Sequence, residues 1–167
     1  MIKLRKNNRL KHYDYTQNGA YFVTVCSIDK KHIFGEVVKQ IEDGFSVGAN
    51  ALVRPKMQLS KLGQCVEQTI KIQNKNGVEI TNHVIMPNHI HMIIQISSDR
   101  RTGVSAPTIS QIITNIKSFV TKQAKHPVWQ KSFYDHVIRN EDDYQNIYHY
   151  IEHNVEKWQD DTYYDRH

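Results

Sequence analysis

An apolar hairpin near the middle of the chain most constrains its fold. Residues 80–86 and 92–96 are rich in β-branched and aliphatic side chains, which favours strands. Between these two runs, Pro87 and Asn88 are residue types that supply a tight turn. The pattern therefore predicts a β-hairpin whose second strand begins at His89.

His89 and His91 stand at the start of that second strand. Side chains two positions apart in a strand point to the same face, so the two imidazoles lie side by side. Such a pair is half of a metal site that needs further ligands. It is equally typical of two polar residues on a solvated sheet face, and the spacing alone leaves both interpretations open.

The rest of the chain alternates between strand and helix patterns. Strands are predicted at 20–28 and 133–138, and helices are predicted at 60–74, from 109 onward, and at 141–158. Ser60 and Asn140 are candidate N-caps. The first six elements give the order βαββαβ, which predicts an α+β fold with a ferredoxin-like antiparallel sheet and an added C-terminal helix. Residues 36–59 have a weak pattern and are interpreted as a possible insertion.

The chain length and composition fit one domain spanning residues 1–167. Lys and Arg total 22 against 17 for Asp and Glu, a net charge of +5. Residues 1–18 form a basic arm that either contacts phosphates or is a solvated terminus. The two cysteines give no disulfide framework. The charged N-terminus and the absence of any apolar run of membrane-spanning length lead us to expect a cytoplasmic protein.

Tyr150 leaves the apolar stripe of the last predicted helix, whereas Tyr148 belongs to that stripe. Asn154 lies one helical turn after Tyr150, so the two side chains are neighbours. A tyrosine placed there is a candidate nucleophile, although an amphipathic tyrosine at the domain edge fits equally well. Two imidazoles and one amide oxygen together suit Mg²⁺ or Mn²⁺ with open positions for phosphate oxygens.

The motifs in this order resemble those of the HUH single-tyrosine transposases, in particular the REP-associated branch. The segments that carry the resemblance are Met86-Pro-Asn-His-Ile-His-Met92, Trp129-Gln-Lys-Ser-Phe-Tyr-Asp-His-Val-Ile-Arg139 and Asp143-Tyr-Gln-Asn-Ile-Tyr-His-Tyr-Ile-Glu-His-Asn154. The resemblance implies that His89 and His91 are metal ligands, that Tyr150 is the nucleophile and that Asn154 is the third protein ligand. Relatives often have proline after the asparagine, where this chain has Val155.

The resemblance also implies a reaction and its partners. It implies cleavage of single-stranded DNA carrying hairpins through a 5′-phosphotyrosine, with Mg²⁺ or Mn²⁺ as cofactor and a homodimer as the assembly. The residues expected to contact DNA, each of which is also explained by a solvated face or a core position, are Arg5, Arg9, Lys11, Arg100, Arg101, Lys117, Trp129, Lys131 and Arg139.

Two other functions compete with this one. The first is a non-catalytic module that binds hairpin DNA or RNA on a ferredoxin-like sheet. The second is a hydrolytic metalloenzyme with two histidine ligands, which is disfavoured because no His-Glu-x-x-His motif is present.

Overall fold

The computed structural model describes residues 18–41, 53–97 and 107–164. The described strands are β1 (Gly19–Cys26), β2 (Gly35–Ile41), β3 (Val53–Leu59), β4 (Val78–Ile85), β5 (His89–Ile96) and β6 (Tyr134–Ile138). The described α-helices are α1 (Lys61–Ile72), α2 (Ile109–Ala124) and α3 (Glu141–Glu152). In these parts of the chain, no helix is long and apolar enough to cross a membrane.

Four strands form one antiparallel sheet in the order β4-β5-β1-β6. Consecutive strands of the βαββαβ order are therefore not all neighbours, because β1 lies between β5 and β6. This is the ferredoxin-like arrangement, and it confirms the fold class predicted from the sequence.

The two faces of this sheet have different roles. On β1, Tyr21, Val23 and Val25 are buried in the main hydrophobic core together with the apolar stripes of α1 and α2. Strand geometry turns the intervening side chains, Phe22 and Thr24, to the opposite face. The same alternation on β5 sends Ile90, Met92 and Ile94 into the core and the two histidines away from it.

Side-chain caps start the helices where the sequence predicts. The Ser60 hydroxyl accepts a hydrogen bond from Gly63 N at 3.1 Å, and the Asn140 side chain accepts one from Asp143 N at 2.8 Å. The start of α1 also lies very close to the backbone of Phe34. A Cβ atom at Gly63 would come within 2.1 Å of the Phe34 carbonyl oxygen, so only glycine fits there.

The described parts of residues 36–59 stand apart from the main sheet. β2 and β3 pair with each other, from Gly35 opposite Leu59 to Ile41 opposite Val53, in a separate two-stranded sheet. Residues 42–52, within the segment interpreted as an insertion, lie outside the described residues.

The last helix is shorter than its sequence pattern predicts. α3 ends at Glu152, not at residue 158, and the chain continues through a turn into a 3₁₀ segment at Trp158–Asp160. The helix stops because His153 N bonds to the carbonyls of both His149 and Ile151, which tightens the final turn. α3 covers the half of the site face formed by β4 and β5, and the Tyr144 hydroxyl donates to Thr81 Oγ1 at 3.0 Å.

Candidate active site

The histidine pair lies buried between the sheet and the C-terminal part of the chain. His89 is 0% exposed and His91 is 1% exposed, so a solvated pair on an open sheet face is wrong. Their Nε2 atoms are 3.0 Å apart. The structure therefore brings the two ring nitrogens to one point inside the protein, as a shared ligand would require.

The other ring nitrogen of each histidine is held by a polar side chain. Thr24 Oγ1 lies 2.8 Å from His91 Nδ1, and Asn88 Oδ1 lies 2.8 Å from His89 Nδ1. Asn88 uses its Nδ2 to donate to the Tyr163 carbonyl at 2.8 Å, which fixes its amide orientation. His89 must therefore donate from Nδ1, and its Nε2 presents a lone pair to the site.

Burial keeps both imidazoles uncharged. Loss of solvent lowers the pKa of His89, with the neighbouring His91 and Lys30 as smaller causes. Burial alone lowers the pKa of His91. Neutral imidazoles are the form that binds a metal ion, because a protonated ring has no free lone pair.

Tyr150 reaches this pair from α3. The side chain is 42% exposed, yet its hydroxyl lies 3.2 Å from His91 Nε2. Its ring meets the Phe22 ring edge-on, and Phe22 stacks on His91. Burial, followed by the charge of Asp161, raises the pKa of Tyr150 to about 12. The phenol is therefore protonated at neutral pH in the cation-free protein.

Tyr148 lies elsewhere on α3. Its ring stacks against Tyr144 with centroids 6.2 Å apart, and its backbone carbonyl accepts a bond from Asn82 Nδ2. The sequence placed Tyr148 on the apolar stripe and Tyr150 off it. The structure agrees with that separation, because the hydroxyl of Tyr150 is the one that meets the histidine pair.

Asn154 lies just beyond the end of α3 and is 2% exposed. Its Nδ2 donates to Asp161 Oδ2 at 3.2 Å, while its buried Oδ1 has no hydrogen-bond partner among the described residues. Asn154 lowers the pKa of Tyr150 and Asp161 raises it, so both side chains act on the phenol. The predicted site residues His89, His91, Tyr150 and Asn154 thus form one cluster, although their chemical roles remain predictions.

Three residues of the C-terminal segment belong to the cluster and were missed from the sequence. Asp161 brings Oδ2 to 4.0 Å from His89 Nε2. The rings of Tyr163 and Trp158 lie over His89, with centroid distances of 4.6 Å and 6.0 Å. Trp158 was assigned to the last predicted helix. Residues 159–164 have no helical or strand periodicity, so no sequence signal placed Asp161 and Tyr163 near the histidines.

The predicted DNA-binding residues fall into three groups: exposed residues, residues outside the described parts of the chain, and residues with contacts inside the fold. Lys131 and Arg139 are exposed. Arg5, Arg9, Lys11, Arg100 and Arg101 lie outside the described residues.

Lys117 and Trp129, which form the third group, make contacts within the fold. The Lys117 ammonium donates to the carbonyls of Gln130 at 2.8 Å and Ser132 at 3.1 Å, and burial lowers its pKa to about 8. Trp129 is a core residue, with its ring centroid 4.9 Å from that of Phe34. Trp129 is 9% exposed, and its stacking on a DNA base stays a prediction.

Comparisons with solved structures give the fold. The chain superimposes on a REP-associated tyrosine transposase bound to a REP hairpin with a TM-score of 0.61 at 21% identity, covering 90% of this chain and 74% of that one. A second structure, a putative transposase from Deinococcus radiodurans, matches with a TM-score of 0.48 at 11% identity, covering 86% of this chain and 95% of that one.

Sequence comparisons give a close relative. No protein-family model matches the chain. A protein of Haemophilus influenzae, described only as uncharacterized, is 33% identical over 185 residues, which covers 98% of this chain and 94% of the relative. The chain therefore belongs to the same family as this Haemophilus influenzae protein, and it has the fold seen in a REP-associated tyrosine transposase.

Proposed function

We propose that this protein is a transposase-like enzyme of the HUH single-tyrosine type, which cleaves and rejoins hairpin-containing single-stranded DNA. The observation that carries the proposal is the position of the Tyr150 hydroxyl, 3.2 Å from Nε2 of a buried, neutral histidine pair. A further support is the shared fold with a transposase whose structure contains a REP hairpin.

The chemistry begins with attack of Tyr150 Oη on a backbone phosphorus. A P–O bond to the tyrosine forms, the bond to the 3′ oxygen breaks, and the DNA 5′ end stays on the protein. The phenol loses one proton and the departing 3′ oxygen gains one. Because the free 3′-hydroxyl can attack the phosphotyrosine in return, strands can be exchanged without a nucleotide cofactor.

The residues fit a divalent cation, Mg²⁺ or Mn²⁺, as the cofactor. His89 and His91 would hold it with Asn154, whose buried Oδ1 has no other partner in the described structure. When bound, the cation would polarise the scissile phosphate and favour the phenolate form of Tyr150. Thr24 and Asn88 orient the two imidazoles toward it.

The half of the site face formed by β1 and β6 offers a path for the DNA strand. Tyr134 lies opposite Thr24 in the β1–β6 register, so its side chain shares the face of the histidine pair. It is 46% exposed and can stack on a base beside the site. Lys131 and Arg139, near the two ends of β6, are exposed cations for the phosphates.

Two parts of the proposal concern residues and partners beyond the described structure. Phosphate contacts from Arg5, Arg9, Lys11, Arg100 and Arg101 remain part of it, and so does a homodimer. Light scattering coupled to gel filtration, in the presence of hairpin DNA, measures the mass of the assembly directly.

The test is covalent adduct formation. The protein is incubated with labelled single-stranded hairpin DNA and Mn²⁺, and a denaturant-stable protein–DNA adduct is measured. Tyr150→Phe removes only the attacking oxygen, so we expect the adduct to vanish while DNA binding persists. Tyr148→Phe is the matched control on the same helix, and it should form the adduct at the wild-type level.

Two results would contradict the assignment. Mass spectrometry that maps the phosphotyrosine to Tyr148 would remove Tyr150 from its role. Tight hairpin binding with no adduct for the wild-type protein in Mn²⁺ would instead favour the non-catalytic binding module.

A further inference from the structure

The C-terminal segment 158–164 folds back over the histidine pair. Trp158 and Tyr163 place their rings against His89, and the Tyr163 carbonyl accepts a hydrogen bond from Asn88. This path carries Asp161 to the edge of the site. We propose that Asp161 is a further direct ligand of the divalent cation, adding one carboxylate to the two imidazoles and the Asn154 oxygen.

The distances match those of ligands around one ion. Atoms about 2.1 Å from a shared Mg²⁺ or Mn²⁺ are about 3.0 Å apart when adjacent and about 4.2 Å apart when opposite. The two Nε2 atoms are 3.0 Å apart, and Asp161 Oδ2 is 4.0 Å from His89 Nε2. All three ligand atoms lie within 4.8 Å of one another.

His89 Nε2 and the Asp161 carboxylate are both electron-rich, which also favours a cation between them. His89 Nε2 presents a lone pair, because Nδ1 is committed to donating to Asn88. The carboxylate of Asp161 faces it, with a side chain that is 2% exposed. A cation held between the His89 lone pair and the Asp161 carboxylate would interact favourably with both.

Protein cations do not neutralise this carboxylate in the described ranges. The ion pairs found there give Asp161 no lysine or arginine partner, and its contact at ion-pair range is with His89. Its hydrogen bonds come from the neutral donors Tyr163 N at 2.7 Å and Asn154 Nδ2 at 3.2 Å. These bonds orient the carboxylate without cancelling its charge.

Asn154 supports the same centre from the other side. Its amide nitrogen holds Asp161, which leaves its buried Oδ1 without a partner. An orphaned acceptor next to an uncompensated carboxylate is what a hard divalent cation satisfies, because Mg²⁺ and Mn²⁺ prefer oxygen ligands. Metal binding and docking of residues 158–164 are therefore thermodynamically linked.

The inference deepens the proposed function, and its importance for DNA cleavage rests on that function. Its test measures metal binding without DNA. The full chain is titrated with Mn²⁺, and free Mn²⁺ is measured by electron paramagnetic resonance. Asp161→Asn, which keeps the shape but loses the charge, should lower the affinity by about tenfold or more. Asp160→Asn, at the adjacent exposed residue, should keep the wild-type affinity.

A structural role for Asp161 is distinguished by thermal unfolding in chelator. If Asp161 is a metal ligand, its buried negative charge lowers the stability of the fold when no cation is bound. Asp161→Asn should therefore unfold at the wild-type temperature or above it in EDTA. Its unfolding temperature should also rise less than that of the wild type when Mn²⁺ is added. Asp161→Ser provides a second neutral variant if the asparagine does not fold.

Unchanged Mn²⁺ affinity in the neutral variants would overturn the inference. Reduced Mn²⁺ affinity in Asp161→Asn, together with no DNA adduct in the wild type, would support the ligand and contradict the proposed function. A Tyr150 adduct in the wild type, together with unchanged Mn²⁺ affinity in Asp161→Asn, would support the proposed function and contradict Asp161 as a ligand.

Discussion

Acidification should destabilise this fold through the two buried histidines. Burial lowers the pKa of His89 from 6.5 to about 2 and that of His91 from 6.5 to about 3. In the unfolded chain both rings take up a proton near pH 6.5, whereas in the folded chain they do not. The unfolded state binds more protons below that pH, so stability falls as the pH falls.

The size of the effect follows from this difference in proton uptake. Between pH 7.5 and pH 5, a histidine of pKa 6.5 that is kept neutral in the fold lowers the free energy of unfolding by about 2 kcal/mol. The pair therefore contributes a loss of about 4 kcal/mol. His83 adds a loss of the same sign, because burial lowers its pKa as well. Such a loss is a large fraction of the stability of a typical domain.

Urea unfolding at pH 7.5, 6.5 and 5 measures this loss. EDTA must be present, because a bound cation would add its own pH dependence. His91→Asn keeps a polar atom for Thr24 but removes one titrating ring, so the loss of unfolding free energy on acidification should be smaller by about 2 kcal/mol. His126→Gln, at an exposed residue after α2, should keep the wild-type slope. A wild-type free energy of unfolding that is the same at pH 7.5 and pH 5 would refute the reasoning.

Two further substitutions test how the site and the fold are held. Thr24→Val removes the oxygen that lies 2.8 Å from His91 Nδ1, and it should lower Mn²⁺ affinity by about 10- to 100-fold in the same titration, whereas Thr24→Ser should not. Gly63→Ala places a methyl group 2.1 Å from the Phe34 carbonyl oxygen and should lower the free energy of unfolding by about 1–3 kcal/mol in urea. Gly19→Ala is its control, since the nearest atom there is at 3.5 Å; equal losses would contradict the packing argument.

Local patterns were sufficient to predict most of the fold. Ser60 marks the start of α1, and the Pro87-Asn88 turn precedes β5 at His89, as the hairpin pattern predicts. These signals work because caps, turns and side-chain periodicity act over a few residues. The βαββαβ order also predicted the ferredoxin-like antiparallel sheet, since that order restricts how such a sheet can be wound.

The same patterns failed where the outcome depends on distant contacts. The helical spacing of apolar residues predicted that α3 extends to residue 158, but in the structure the helix ends at Glu152. The type of a side chain does not reveal whether its polar atoms are already used, so Lys117 was expected to contact DNA. Its ammonium binds the carbonyls of Gln130 and Ser132, a contact that the sequence did not reveal, and its contact with DNA stays a prediction. Asp161 was missed because its partners are far from it in sequence.

The two halves of the candidate site differ in how firmly they are held. The histidines lie on β5, which is paired on both edges, so displacing them requires opening the centre of the sheet. Asn154 and Asp161 instead follow the end of α3, in turns and a 3₁₀ segment. Their position relative to the histidines depends on a small number of side-chain hydrogen bonds.

Asn88 joins these two halves. Through Oδ1 it fixes the tautomer of His89, and through Nδ2 it anchors the Tyr163 carbonyl of the returning segment. Both bonds use one buried amide, so the orientation that exposes the His89 lone pair is also the one that holds residues 158–164 over it. A residue that the sequence marks only as part of a turn therefore couples ligand orientation to closure of the site, and this coupling explains why a polar amide is kept in a fully buried position.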